Sequence, residues 1–198
     1  MYSKQTIALA ILTLTLPLLA SAKTIATGKY TIDPMHSKVG FEVPHLVISS
    51  VEGKFDQYEG TLNIDSKIEK SKVEISIDTN SVDTGVTKRD DHLRSPEFFD
   101  TKKFPKMTFT STKVSQKDDE VTIVGNLKIK DKSKVVTLVA QNLGEVKDGY
   151  GNQKIAFKGK TKINRKEFGL TWNQAVEAGP IVGDEIEIAL NIQAAKAK

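Results

Sequence analysis

From Lys72 to Asp78 the chain alternates strictly: Val73, Ile75 and Ile77 are apolar, and the residues between them are polar. The same two-residue period returns at Val121, Ile123, Leu127 and Ile129, and at Ile155, Phe157 and Ile163. It appears last at Ile186, Ile188, Leu190 and Ile192, where Glu185 and Glu187 take the other face. Successive side chains on a strand point to opposite faces, so this period marks strands with one buried and one wet side, the habit of antiparallel sheets. About eight such stretches are predicted, near residues 38–45, 51–64, 72–79, 107–114, 121–130, 134–140, 154–163 and 185–193. Polar clusters punctuate them: Lys117 to Glu120, Lys130 to Ser133, and the loop from Lys147 to Asn152. This pattern predicts an all-β fold. An up-and-down barrel would leave no free edges, and its interior would either fill with side chains or hold one small ligand. A two-sheet sandwich gives the same alternation, and periodicity leaves both open.

Two places break the period. Val51, Gly53 and Phe55 share one face, but Tyr58, Gly60, Leu62 and Ile64 share the opposite parity. A bulge near Asp56-Gln57 is expected to flip the register there. The stretch from Val82 to Pro105 does not alternate. Within it Lys88 to Arg94 reads as a short helix stopped before Pro96, followed by Phe98, Phe99 and Phe104 in a segment expected to lie across a barrel end or side.

The first residues stand apart. Lys4 precedes an apolar run from Ile7 to Leu19, and Ala20-Ser21-Ala22 offers the small residues that a signal peptidase reads. The run is too short for a membrane span, and no second apolar stretch follows, so no transmembrane segment is predicted. Residues 1–22 are therefore expected to be a secretory signal cleaved near Ala22, leaving residues 23–198 as one domain. The chain has no cysteine, which excludes disulfides and thiolate chemistry and suits an exported protein of a bacterial periplasm. Losing Lys4 lowers the basic residues from 29 to 28 against 25 acidic ones, a net charge of +3. These charges are interspersed, so nucleic acid is not predicted as a partner.

Few residues suggest chemistry. His36 sits in the turn Asp33-Pro34-Met35-His36-Ser37, His45 at a strand end, and His92 in the short helix, and this spacing marks no metal site. No Gly-x-Ser-x-Gly motif and no phosphate-binding glycine loop occur. Asp90 and His92, flanked by Arg89 and Arg94, would be the pair to orient a catalytic base, or else a charged cluster that anchors the helix. His45 shares the face of Val39, Phe41 and Val43 and should point inward. It is either a satisfied core histidine or a polar contact for a ligand head group. Phe41, Phe55, Phe109, Phe157, Phe168 and Trp172 are spread over several strands, mostly on the inward parity. They either fill a solid core or, with Phe98 and Phe99, line a tunnel.

Several motifs in order resemble the YceI-like family of periplasmic proteins. These are Asp33-Pro34-Met35-His36-Ser37-Lys38-Val39-Gly40-Phe41 with Pro44-His45-Leu46 and Gly53-Lys54-Phe55, then Arg89 to Asp100 with Phe104 to Phe109. Arg165 to Leu170 and Gly183-Asp184-Glu185-Ile186 complete the set. The resemblance implies an eight-stranded, antiparallel, lipocalin-like barrel with a long tunnel for a polyisoprenoid, an isoprenoid quinone or a fatty-acid amide. It implies neither a reaction nor a cofactor, and it places the Arg89–Arg94 motif around the tunnel mouth. The leading expectation is a periplasmic carrier whose ligand touches Val39, Phe41, Val43, His45, Phe55, Phe98, Phe99, Phe109, Phe157, Phe168 and Trp172. A homodimer is compatible with this reading. The alternatives are an enzyme acting on a lipid through His45 or the Asp90–His92 pair, and an interaction protein using its outer surface. The outward positions, mostly Lys, Glu, Thr and Asn, weigh against the last.

Overall fold

In a computed structural model the described residues are 23–176 and 179–197, so the signal expected over residues 1–22 lies outside them. The strands are β1 (Gly28–Ile32), β2 (Lys38–His45), β3 (Ser49–Phe55), β4 (Tyr58–Ile64), β5 (Lys72–Asp78) and β6 (Val82–Asp83). After helix α1 (Thr87–Arg94) come β7 (Lys106–Lys117), β8 (Glu120–Ile129), β9 (Lys132–Lys147) and β10 (Gln153–Asn164). The short hairpin β11 (Ala175–Val176) and β12 (Gly179–Pro180) precedes β13 (Glu185–Lys196).

All main-sheet pairings are antiparallel. β13 pairs with β10 on one side and with both β1 and β2 on the other, while β4 pairs with β1 and β3 with β2. Thus β1 and β2 form one broken stave and β3 and β4 another, and the sheet closes as an eight-stranded barrel rather than a sandwich. Closure leaves no long open edge.

The inward alternation holds. Val121, Ile123, Leu127 and Ile129 are buried on β8, as are Ile155, Phe157 and Ile163 on β10. On the outside Lys162 pairs with Glu185 at 2.7 Å, and Lys160 pairs with Glu187. The outer face of β9 departs from the expected polar surface: Val135, Val139, Leu143 and Val146 are exposed.

The parity flip at Asp56-Gln57 is present, but as a complete break and not a bulge within a ladder. Phe55 is buried before it, and Gly60, Leu62 and Ile64 after it. Ser81 satisfies the interrupted backbone, accepting from the Asp56 amide at 3.1 Å and, through its hydroxyl, from the Gln57 amide at 3.0 Å. True bulges lie elsewhere, at Ser111–Lys113 on β7 and beside Ala156–Phe157 between β9 and β10. Strand β1 went unread in the sequence because only Tyr30 and Ile32 carry its period, yet both are buried.

The kink between β1 and β2 is pinned by one carboxylate. Asp33 accepts from the Met35 amide at 3.2 Å, from Lys154 at 3.1 Å and from Gln193 at 3.2 Å, and it meets His36 Nδ1 at 3.0 Å. His36 thus ties down the turn.

Candidate functional site

The two barrel ends are built differently. At one, residues 23–26 fold across the opening: the Lys23 amide donates to Asp119 at 2.7 Å, and Asn142 donates to the Lys23 carbonyl at 2.8 Å. At the other lie α1, the Phe98-Phe99 segment and the loop from Gly169 to Asp184. Beneath them is a cavity of about 280 Å³. Its walls are the ends of β2, β3, β7, β8, β10 and β13, with Phe41, Val43, Val51, Phe55, Met107, Ile129, Ile163, Ile186 and Ile188.

Aromatic rings roof this space. Phe41 packs on Phe55 with centroids 5.5 Å apart, and Phe55 meets Phe99 edge-on at 5.7 Å. His92 stands edge-on to Phe98 at 5.0 Å and to Trp172 at 4.9 Å. Phe41 can lie against β3 because its cross-strand partner is Gly53, where a methyl would run into the ring.

The residues with polar side chains among those that border the cavity are His45, Thr84, Arg89, His92, Arg165 and Trp172. Arg89 is held by Thr84, donating to its hydroxyl at 2.7 Å and its carbonyl at 2.9 Å. Asp90 is buried and accepts from the Thr84 amide at 2.9 Å and hydroxyl at 2.6 Å. It does not orient His92, whose Nε2 instead meets Glu97 at 2.5 Å. The Asp90–His92 pair considered for catalysis therefore does not form; Asp90 is spent on fixing the start of α1. Arg94 clamps the helix from its other end, donating to the carbonyls of Asn80 and Val82 at 2.9 Å each. Among the described residues no group of three or more His, Cys, Asp or Glu side chains could hold a metal ion.

Arg165 is the residue whose role sequence reasoning missed. It is buried where β10 ends, and it donates to the carbonyls of Leu170 at 2.6 Å, Trp172 at 2.8 Å and Gly183 at 2.8 Å. It also pairs with Asp184 at 3.2 Å. Burial pushes the guanidinium's pKa down and the Asp184 carboxylate counters that shift. One side chain thus gathers both ends of the Gly169–Asp184 loop. The only signal for it was its place in the Arg165–Leu170 motif.

Of the residues named from sequence, Phe41, Val43, His45, Phe55, Phe98, Phe99 and Trp172 border this cavity. Phe157 instead borders a second, smaller cavity of about 50 Å³ deeper in the barrel, with Ile25, Ile32 and Leu190. Val39, Phe109 and Phe168 are buried and border neither cavity. Phe109 lies on β7 between Met107 of the first cavity and Val114 of the second, and Val39 lies between Phe41 of β2 and Ile32 of β1 on their shared stave, so both belong to the partition. Phe168 sits in the turn after β10, packed into the core.

The YceI-like domain family matches residues 30–194. The chain belongs to this family. Protein YceI of Salmonella newport (strain SL254) is 37% identical over 184 residues, which cover 91% of this chain and 94% of that protein. The crystal structure of BcnA from Burkholderia cenocepacia superposes with a TM-score of 0.70 at 24% identity, over 82% of this chain and 98% of that one. A polyisoprenoid binding domain from Saccharophagus degradans, implicated in plant cell wall breakdown, superposes with a TM-score of 0.63 at 17% identity, over 85% and 98%. At those identities the two structures share the fold. In this family setting α1 and the segments around it are the roof of the barrel, and no helix among the described residues is long and apolar enough to cross a membrane.

Proposed function

We propose that this protein is a periplasmic carrier that holds one long apolar molecule, a polyisoprenoid, an isoprenoid quinone or a fatty-acid amide, inside its barrel. The observation that carries the reading is the 280 Å³ cavity, apolar on its walls and polar only at a few lining positions. An apolar pocket with few polar groups favours a ligand that is mostly hydrocarbon with one polar end. His45, Arg89 and His92 border the cavity and would serve that end, and the aromatic rings would serve the chain. The second cavity lies further along the barrel, so a long chain would occupy both by displacing the partition at Val39 and Phe109. The Saccharophagus domain, described as polyisoprenoid binding, has the same fold. Export is supported by the signal-like residues 1–22 and the absence of cysteine.

Mass spectrometry of organic extracts from protein purified without added lipid tests this. A long-chain amphiphile at near one per barrel is the expected result. Protein that is empty on purification and takes up neither polyprenol nor quinone overturns it.

A further inference from the structure

The hairpin joining β2 to β3 turns through Leu46, Val47 and Ile48, since His45 pairs with Ser49. Leu46 and Val47 both adopt left-handed backbone, with φ of 52° and 66°. Hairpin turns of that shape favour glycine or asparagine, and a β-branched residue there is strained. Yet the tip is apolar and turned outward: Val47 is 69% exposed and Ile48 88%. Its base is fixed, not loose. The Leu46 amide donates to the Ile181 carbonyl at 2.9 Å, and the Gly183 amide to the Pro44 carbonyl at 2.8 Å. Pro44, His45, Val51 and Ile181, which flank the tip, all line the large cavity. A further exposed apolar residue, Val86, sits between Thr84 and Arg89, which line the same cavity, and the exposed Lys88 follows it.

We infer that the Leu46–Ile48 tip docks the roofed end of the barrel onto a lipid bilayer, so that the apolar ligand passes between membrane and cavity without crossing water. The inference rests on the carrier reading above and names the donor and acceptor of its ligand. Exposed apolar side chains on a rigid tip enter the interfacial region of a bilayer, and an exposed lysine on the same roofed end, Lys88 of α1, attracts anionic head groups. The opposite end carries the hydrogen-bonded segment 23–26 instead.

The test compares the exported protein with its V47N/I48S variant. Asparagine suits the left-handed position, and neither residue lines the cavity, so the variant should fold and keep its pocket. Flotation with phosphatidylethanolamine–phosphatidylglycerol vesicles should fall about tenfold or more. Transfer of dansyl-labelled farnesol from those vesicles should slow in parallel, while binding of the same probe added directly to the protein stays unchanged. Wild-type protein that does not float, or a variant that floats and transfers like wild type, overturns the inference. So does a variant whose only change is conversion of a dimer to a monomer, which would make the tip a subunit contact. Loss of direct probe binding in the wild type, with flotation intact, would instead defeat the carrier reading.

Discussion

Asp33 shows how one side chain can hold a barrel seam. Burial opposes its charge, but the hydrogen bonds from Lys154 and His36 prevail and lower its pKa from 3.8 to about 2. A carboxyl depressed in the folded state contributes stability above its unfolded pKa and loses it as pH falls through the folded value. Urea unfolding should therefore show a stability loss between about pH 4 and pH 2 that is smaller in the Asp33→Asn variant. If both proteins lose stability equally over that window, the network is not the cause. The sequence placed Asp33 and His36 together in a turn, but Lys154 and Gln193 lie more than a hundred residues away. Their meeting depends on β1, β10 and β13 lying side by side.

Among the elements, the strands and the short helix α1 were legible, and the Gly169–Asp184 loop was not. Alternation is a local property, so β5, β8, β10 and β13 could be read from their apolar spacing alone. The Gly169–Asp184 loop has no period, and Arg165 holds its two ends together. Replacing Arg165 with Met keeps the bulk but leaves several carbonyls without a donor, at a cost of about 2–4 kcal/mol. Hydrogen exchange should then quicken in residues 169–176 and 179–184 before it does in β8 or β9. Uniform protection in the variant would show that the loop is held by its apolar contacts instead. Helix α1 follows the same logic. Leu93 is its one apolar residue, so its place is set by Asp90, Arg89 and Arg94 gripping residues 80–84 and not by an apolar stripe. The same residues looked like catalytic candidates in sequence because charge clustering cannot distinguish an anchor from an active site.

At the scale of the molecule, the described residues enclose two unequal cavities with a packed level between them. Phe109 stands in that level, its ring against Gly125, where a side-chain carbon would collide with it. Truncating it, as Phe109→Ala, should cost about 3–5 kcal/mol in unfolding free energy. It should also join the two cavities, so that longer polyprenols gain affinity relative to farnesol in competition binding. Unchanged chain-length preference would place the ligand wholly in the outer cavity.

Sequence alone determined the strand period, the parity flip after Phe55 and the inward set of aromatic residues, because each depends only on neighbours along the chain. The family motifs pointed to the barrel, but closure itself required β13 to reach both β1 and β2, pairings between the two ends of the described chain. Which inward residues face empty space and which pack solid was likewise decided only in three dimensions. Phe41 and Phe109 share the same parity rule, yet one borders a cavity and the other divides two. That difference depends on what the opposite staves place at the same height, and no single strand encodes it.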